Sequence, residues 1–235
     1  MTSRFIPLLL VLLITLPLLS AAPLSVRFLA WDEEIAARKL SAGGADIAGL
    51  HPLQRTGGYK ITAEEGKFRI LAVDKKDAEG APLPLEIRIP EGTLRPLVIL
   101  LPKPDAPTGL ASLVIEDDES SLKWGSVRAF NSTARELAMS IGDNGKLLPA
   151  GWKPVDFQPA AEETAPMLIG LPDELRKPAE SRKVLFSTIW TAESDVRSLA
   201  IIVPGTDVRL GPVAVKVITE DRRVLAAERA AAGRR

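Results

Sequence analysis

From residue 26 onward, apolar residues come in runs of six to eight positions, several alternating with polar residues, and turn formers separate the runs. A period of two is the mark of a half-buried β-strand, and clusters of Gly, Pro, Asn and Asp are where such strands reverse. The pattern predicts strands at 26–31, 37–42, 57–62, 67–73, 83–89, 96–102 and 111–117. A second set follows at 126–132, 136–142, 154–159, 165–171, 183–190, 198–204 and 213–220. "PLVILLP" (96–102) and "SLAIIVP" (198–204) lack strict alternation, which fits strands covered on both faces near a sandwich centre. "IGDNGKLL" (141–148) reads as a hairpin, because Asn144-Gly145 tolerates the positive φ angles of a type I′ turn.

Helical patterning is scarce. Residues 30–40 have the composition of a single helical turn, but their counterpart "NSTARELAMSI" alternates Met139 and Ile141 around Ser140. Both segments are therefore read as strand. The Ala/Arg-rich end, 220–235, reads as a short frayed helix or a disordered tail.

The two sets of strands are one pattern repeated. Setting "RPLVILLPKPD" (95–105) against "RSLAIIVPGTD" (197–207), a shift of 102 residues, matches Arg95/Arg197, Leu97/Leu199, Ile99/Ile201, Pro102/Pro204, Asp105/Asp207 and then Gly109/Gly211. Shared aliphatics prove little; the shared Arg, Pro, Asp and Gly fix a strand start and its exit turn. The same shift of 102 sets "LPLEIRI" (83–89) against "LFSTIWT" (185–191). "VRFLAW" (26–31) matches "VRAFNS" (127–132) at 101, and "VIEDD" (114–118) matches "VITED" (217–221) at 103. Drift of one residue is what changes in turns produce, and a period this long means tandem domains.

Seven short strands in about 100 residues are the pattern of an immunoglobulin-like sandwich. The expected architecture is all-β: two tandem immunoglobulin-like antiparallel β-sandwich domains after an N-terminal signal peptide. The expected divisions are a signal peptide at 1–22, sandwiches at 23–118 and 126–221, a linker at 119–125, and a tail at 222–235. The linker is short, so the domains are expected to touch.

The first 22 residues decide the compartment. Arg4, an apolar run from Phe5 to Leu19 and small residues after it follow the grammar of a secretory signal. The run is shorter than the roughly 20 residues of a spanning helix and carries Pro7 and Pro17. Two cleavage sites compete. Ser20 and Ala22 fit a small-x-small pattern but leave Pro23 after the bond; cleavage after Ala21 avoids Pro23 and puts Leu19 in the small pocket. An uncleaved segment would leave the protein tethered to the membrane. The expected location is secreted or periplasmic.

Composition narrows the chemistry. The 235-residue chain has no cysteine, which removes disulfides, thiolate catalysis, cysteine-metal sites and lipid attachment through a lipoprotein cysteine. Losing Arg4 with the signal leaves 29 Lys+Arg against 30 Asp+Glu, without the basic excess that nucleic acid asks for.

The strand "VRAFNST" (127–133) and the acidic edge "VIEDD" (114–118) resemble a group of uncharacterised exported bacterial proteins with tandem immunoglobulin-like β-sandwich domains. In that group a repeat opens with a Val-Arg-x-x-Asn strand and closes on Asp-Asp. The resemblance covers most of the mature chain, and the first repeat departs from it with "VRFLAWD". It implies the fold and an extracytoplasmic setting, and no activity.

Candidate chemistry is thin. The single histidine, His51, precedes a proline in a turn-like segment, where a solvated loop residue is expected. Glu33/Glu34, Glu64/Glu65 and Glu162/Glu163 are sequence neighbours, which point apart on a strand, whereas glycoside hydrolysis needs two carboxylates facing across a cleft. "EDDESS" (116–121) offers Asp117, Asp118 and Glu119 toward calcium, with Asp32 from a neighbouring loop, but an acidic edge that keeps the closing strand soluble is the stronger reading. Asn131-Ser132-Thr133 is a glycosylation sequon, relevant only in a eukaryotic secretory route. Of Trp31, Trp124, Trp152 and Trp190, Trp152 lies in the loop "LPAGWKP" and is the candidate exposed platform for a ligand.

The expectation is therefore a non-enzymatic exported structural or protein-interaction module of the cell envelope, with no catalytic residues, cofactor or metal. Its partner would be an envelope protein or glycan and not nucleic acid; the membrane would be a partner only if the signal stays uncleaved. The alternative is a carbohydrate- or peptide-binding module using loops of the second domain around Trp152.

Overall fold

The computed structural model describes residues 23–207, 209 and 211–232. The expected signal segment and the last three residues of the tail lie outside the described residues. The first repeat forms β1 (Leu24–Ala30), β2 (Leu40–Ala42), β3 (Ala45–Asp46), β4 (Tyr59–Ile61), β5 (Lys67–Lys76), β6 (Pro82–Arg88), β7 (Pro96–Pro102) and β8 (Leu110–Glu116). The second forms β9 (Val127–Asn131), β10 (Leu137–Ile141), β11 (Asn144–Leu148), β12 (Val155–Phe157), β13 (Thr164–Gly170), β14 (Val184–Thr191), β15 (Val196–Pro204) and β16 (Val213–Asp221). Each repeat is a sandwich of two four-stranded sheets. In the first the orders are β3-β2-β5-β6 and β4-β1-β7-β8; in the second they are β11-β10-β13-β14 and β12-β9-β15-β16. The chain is thus all-β in two tandem sandwiches. Each contains one parallel pair, β1 with β7 and β9 with β15, which ties the start of a repeat to its penultimate strand.

Alternation explains the two cores. On β7, Val98 and Leu100 join Val26, Phe28, Ile70 and Ile87 inside the first sandwich, while on β15 Ala200 and Ile202 join Met139, Phe157 and Met167 inside the second. The intervening residues point the other way and meet each other. Leu29, Leu97, Ile99 and Ile115 of the first sandwich pack with Phe130, Leu199, Ile201 and Ile218 of the second, with Leu122 of the connecting segment at their margin. These are four pairs of repeat-equivalent residues, so both domains use the same face, as the subunits of a two-fold dimer do. The molecule stacks four sheets. "PLVILLP" and, beyond Ser198, "SLAIIVP" are apolar because one face of each lies in its own sandwich and the other in this seam.

Several local expectations shift. Residues 33–36 form a short helix, α1 (Glu33–Ala36), and not strand: Asp32 caps it by accepting from the Ile35 N–H at 2.9 Å, and Ile35 is buried. The second repeat lacks this cap and bends through 133–135 instead. The hairpin at 141–148 forms, but Ile141 pairs with Asn144, so Gly142 and Asp143 occupy the turn. Gly142 takes the positive φ, +57°, at the first central position, the type II′ arrangement. The alignment of 83–89 with 185–191 holds in sequence and fails in space. Ile87 is wholly buried, whereas Ile189, its counterpart at a shift of 102, is 65 % exposed. A register shift at Ile169/Gly170, where β13 pairs with β14, turns β14 by one residue, and one residue exchanges the two faces of a strand.

Between β13 and β14 lie α2 (Pro172–Leu175) and a 3-10 turn at Ala179–Ser181. The tail forms α3 (Arg222–Ala232), with Leu225 buried and Arg229 paired to Glu119 at 2.5 Å.

Candidate functional site at the seam

The densest constellation of charge in the molecule lies at one end of the seam, built from the repeated Val-Arg strand and the repeated acidic edge. Arg27 on β1 faces Asp117, just past β8, and Glu220 on β16, donating to both. Arg55 donates to Asp117 through Nε at 2.9 Å and Nη2 at 3.2 Å. Arg197 on β15 donates to Glu220 through Nε at 2.7 Å and to the carbonyls of Asp117 and Leu122 at 3.1 and 3.3 Å. The side chains of Arg55, Arg197 and Asp117 are almost wholly buried.

Burial alone would raise the Asp117 carboxyl, but Arg55, Arg27 and Arg197 more than reverse that and hold it below its ordinary range. Glu220 is governed the same way: burial raises it, and Arg55, Arg27 and Arg197 carry it lower. Burial also pulls down Arg27, and Asp117 and Glu220 lift it back above its usual value. Such ions add little net stability, since desolvation offsets most of their attraction, yet leaving one unpaired costs about 3–5 kcal/mol. Closing the seam therefore falls to the apolar cluster, where each buried Leu or Ile contributes about 1.5–3 kcal/mol. In this alignment of the sandwiches Arg27, Arg55, Arg197, Asp117 and Glu220 are all paired.

The repeat partners of these residues have diverged. Arg128, equivalent to Arg27, pairs with Asp156 at 2.7 Å and donates to the Glu116 carbonyl across the seam at 3.0 Å. Its pKa is raised chiefly by the hydrogen bond to Asp156. Arg95, the counterpart of Arg197, is half exposed, with Asp118 at 3.5 Å. Connecting-segment carbonyls cover Arg197; the Trp124 ring also lies against it, 5.1 Å from the guanidinium carbon, with Arg222 5.6 Å away.

Aromatic residues close the other end. The Trp31 and Trp152 rings meet edge to face at 5.7 Å and 69°. Lys216 donates to the Trp31 carbonyl and lies 5.0 Å from its ring centre. Burial pulls the Lys216 ammonium below its usual pKa, against the opposing pull of Asp32 and Glu33. Trp152 is thus half-buried at the seam, its loop held by an N–H to the Asn131 carbonyl at 3.1 Å. Its φ is +65°, a left-handed conformation rare for a bulky side chain.

Beside the ion cluster runs a groove of about 480 Å³ between the 51–56 loop and the β16–α3 corner. His51 lines it, its Nδ1 accepting from the Leu53 N–H at 3.0 Å. Leu53 and Val224 rise on opposite walls, 49 % and 56 % exposed. The carboxylates weighed for calcium go separate ways: Asp117 to the arginines, Asp118 to the Ser120 N–H at 2.7 Å, Glu119 to Arg229. Among the described residues no three His, Asp or Glu converge as a metal-binding group. Glu162 accepts from the Ser194 N–H at 3.1 Å, and Glu64 and Glu65 line an open depression beside β4 and β5.

The buried ions were missed in the sequence as a unit, although the signal was there. Arg27/Arg128 and Asp117/Glu220 match across the repeats at shifts of 101 and 103. No protein-family model matches the chain, and no curated protein is similar to it.

Proposed function

We propose that the protein is an exported, non-enzymatic structural and interaction module of the cell envelope, its two sandwiches acting as one rigid body. The observation that supports this reading is the seam, in which four repeat-equivalent pairs form a common core and buried ions fix the alignment. Such a joint removes hinge freedom, so surfaces on the two domains stay at a constant separation and angle. That is the property a scaffold needs when it holds a partner in place. The basic end of the 1–22 segment and its short apolar run support export. Among the described residues no helix is long and apolar enough to cross a membrane.

The experiment is fractionation of cells expressing the full chain, with in-cell crosslinking and mass spectrometry of the captured species. Recovery outside the cytoplasm, joined to one envelope protein in fixed proportion, is the expected outcome. Cytoplasmic retention of a chain with its N-terminal segment intact would overturn the reading. Retention on a defined glycan that Trp152→Ala abolishes would instead establish a carbohydrate-binding module.

A further inference from the structure

Every sandwich has edge strands, and the two repeats treat theirs differently. β6 ends its sheet with Pro82, Pro84, Glu86 and Arg88, the prolines and charges that discourage another strand from adding to an edge. β14 ends the matching sheet of the second sandwich with "VLFSTIWT", eight residues without a proline or a charge. Val184 and Ile189 are 41 % and 65 % exposed on it. The register shift noted above is what turned Ile189 outward.

We propose that β14 pairs antiparallel with β14 of a second copy of this chain, joining two outer sheets into one of eight strands. The charges flanking β14 determine both the occupant and the direction. Arg182 and Lys183 precede the strand, and Glu193 and Asp195 follow it. A strand that is basic at its start, neutral in the middle and acidic at its end is complementary to itself only when reversed. With a two-fold axis at Ile189, Ser187 faces Thr191 and Thr188 faces Trp190 of the other copy. The basic start of one strand, Arg182 and Lys183, then approaches the turn of the other copy that carries Glu193 and Asp195. Residues directly opposite in an antiparallel pair share a face, and this register meets that requirement, since Phe186, Thr188 and Trp190 all lie opposite inward-facing positions of β13. The chain carries 30 basic and 30 acidic residues, so two copies approach without net repulsion. At the start of the edge, a Cβ on Gly211 would lie 3.0 Å from the Leu185 carbonyl.

This goes beyond the proposed function and is independent of it, because it is tested on the purified chain without an envelope partner. Sedimentation equilibrium from 1 to 100 μM is expected to show a monomer–dimer equilibrium. Ile189→Lys places two lysines on the axis and is expected to give monomer throughout; its circular dichroism and melting temperature should stay unchanged, because the side chain is mostly exposed. Glu193→Lys together with Asp195→Lys sets like charges at both ends of the ladder and should weaken the dimer at least about tenfold. Adding Arg182→Glu and Lys183→Glu to that variant should restore it. A chain that stays monomeric at 100 μM, a dimer that survives Ile189→Lys, or charge reversals without effect and rescue would each overturn the proposal. Deuterium exchange slowing at 187–191 with rising concentration would support it.

Discussion

Asp117 and Glu220 stand at corresponding positions in the two repeats and accept from the same guanidinium, that of Arg27. One carboxylate belongs to each sandwich, so a single arginine registers the two domains against each other. Arg197 repeats the link from the other side, bonding Glu220 in its own sandwich and the Asp117 carbonyl across the seam.

Arg197→Ala is expected to destabilise the protein by about 3–5 kcal/mol, because it leaves one oxygen of the Glu220 carboxylate and the carbonyls of Asp117 and Leu122 without their buried donor. Arg197→Lys should recover only part of this, since an ammonium cannot span the acceptors that the guanidinium fork reaches at once. Urea denaturation followed by tryptophan fluorescence measures both losses.

The same carboxylates make stability fall in acid. Asp117 and Glu220 are held below their ordinary values of 3.8 and 4.5. Their contribution is therefore complete above about pH 5, once both are ionised in the unfolded chain as well, and it is lost as pH drops through the lower folded values. The stability gap between the natural chain and Asp117→Asn should narrow steadily from pH 5 to pH 3 in denaturation curves.

The apolar seam predicts that the sandwiches unfold together. Leu199→Ala should cost about 2–5 kcal/mol and shift one common transition. An isolated 23–118 fragment would expose Leu29, Leu97, Ile99 and Ile115 on one sheet face. It is expected to associate or precipitate, as light scattering would show; a soluble monomeric fragment would contradict a seam closed by apolar burial.

Trp152→Ala is expected to lower stability by about 1–3 kcal/mol and to remove the near-ultraviolet circular dichroism of the Trp31–Trp152 pair. A tryptophan serving only as a solvent-facing platform would change stability by less than about 0.5 kcal/mol.

Much of this fold was legible because strand patterning is local. Whether 98 and 100 share a face while 97 and 99 take the other follows from the pleat alone, and the matched Pro102 and Pro204 mark where β7 and β15 end. The short helix after Trp31 was missed because its cap, Asp32, acts through one hydrogen bond that the second repeat lacks. The outward turn of Ile189 was missed because a β-bulge leaves no regular trace in the order of apolar residues.

A duplicated pattern of apolar and polar positions was enough to read two all-β sandwiches, and it marked 96–102 and 198–204 as strands that lack alternation. It did not determine what covers the second face. That each sandwich covers the other, and that Arg197 is buried while its counterpart Arg95 is not, emerges in the folded molecule alone. The difference is one of range. Face alternation arises between neighbours in the chain, but Arg27 meets a carboxylate 193 residues away, and which charge finds which is settled only when the two cores close against each other.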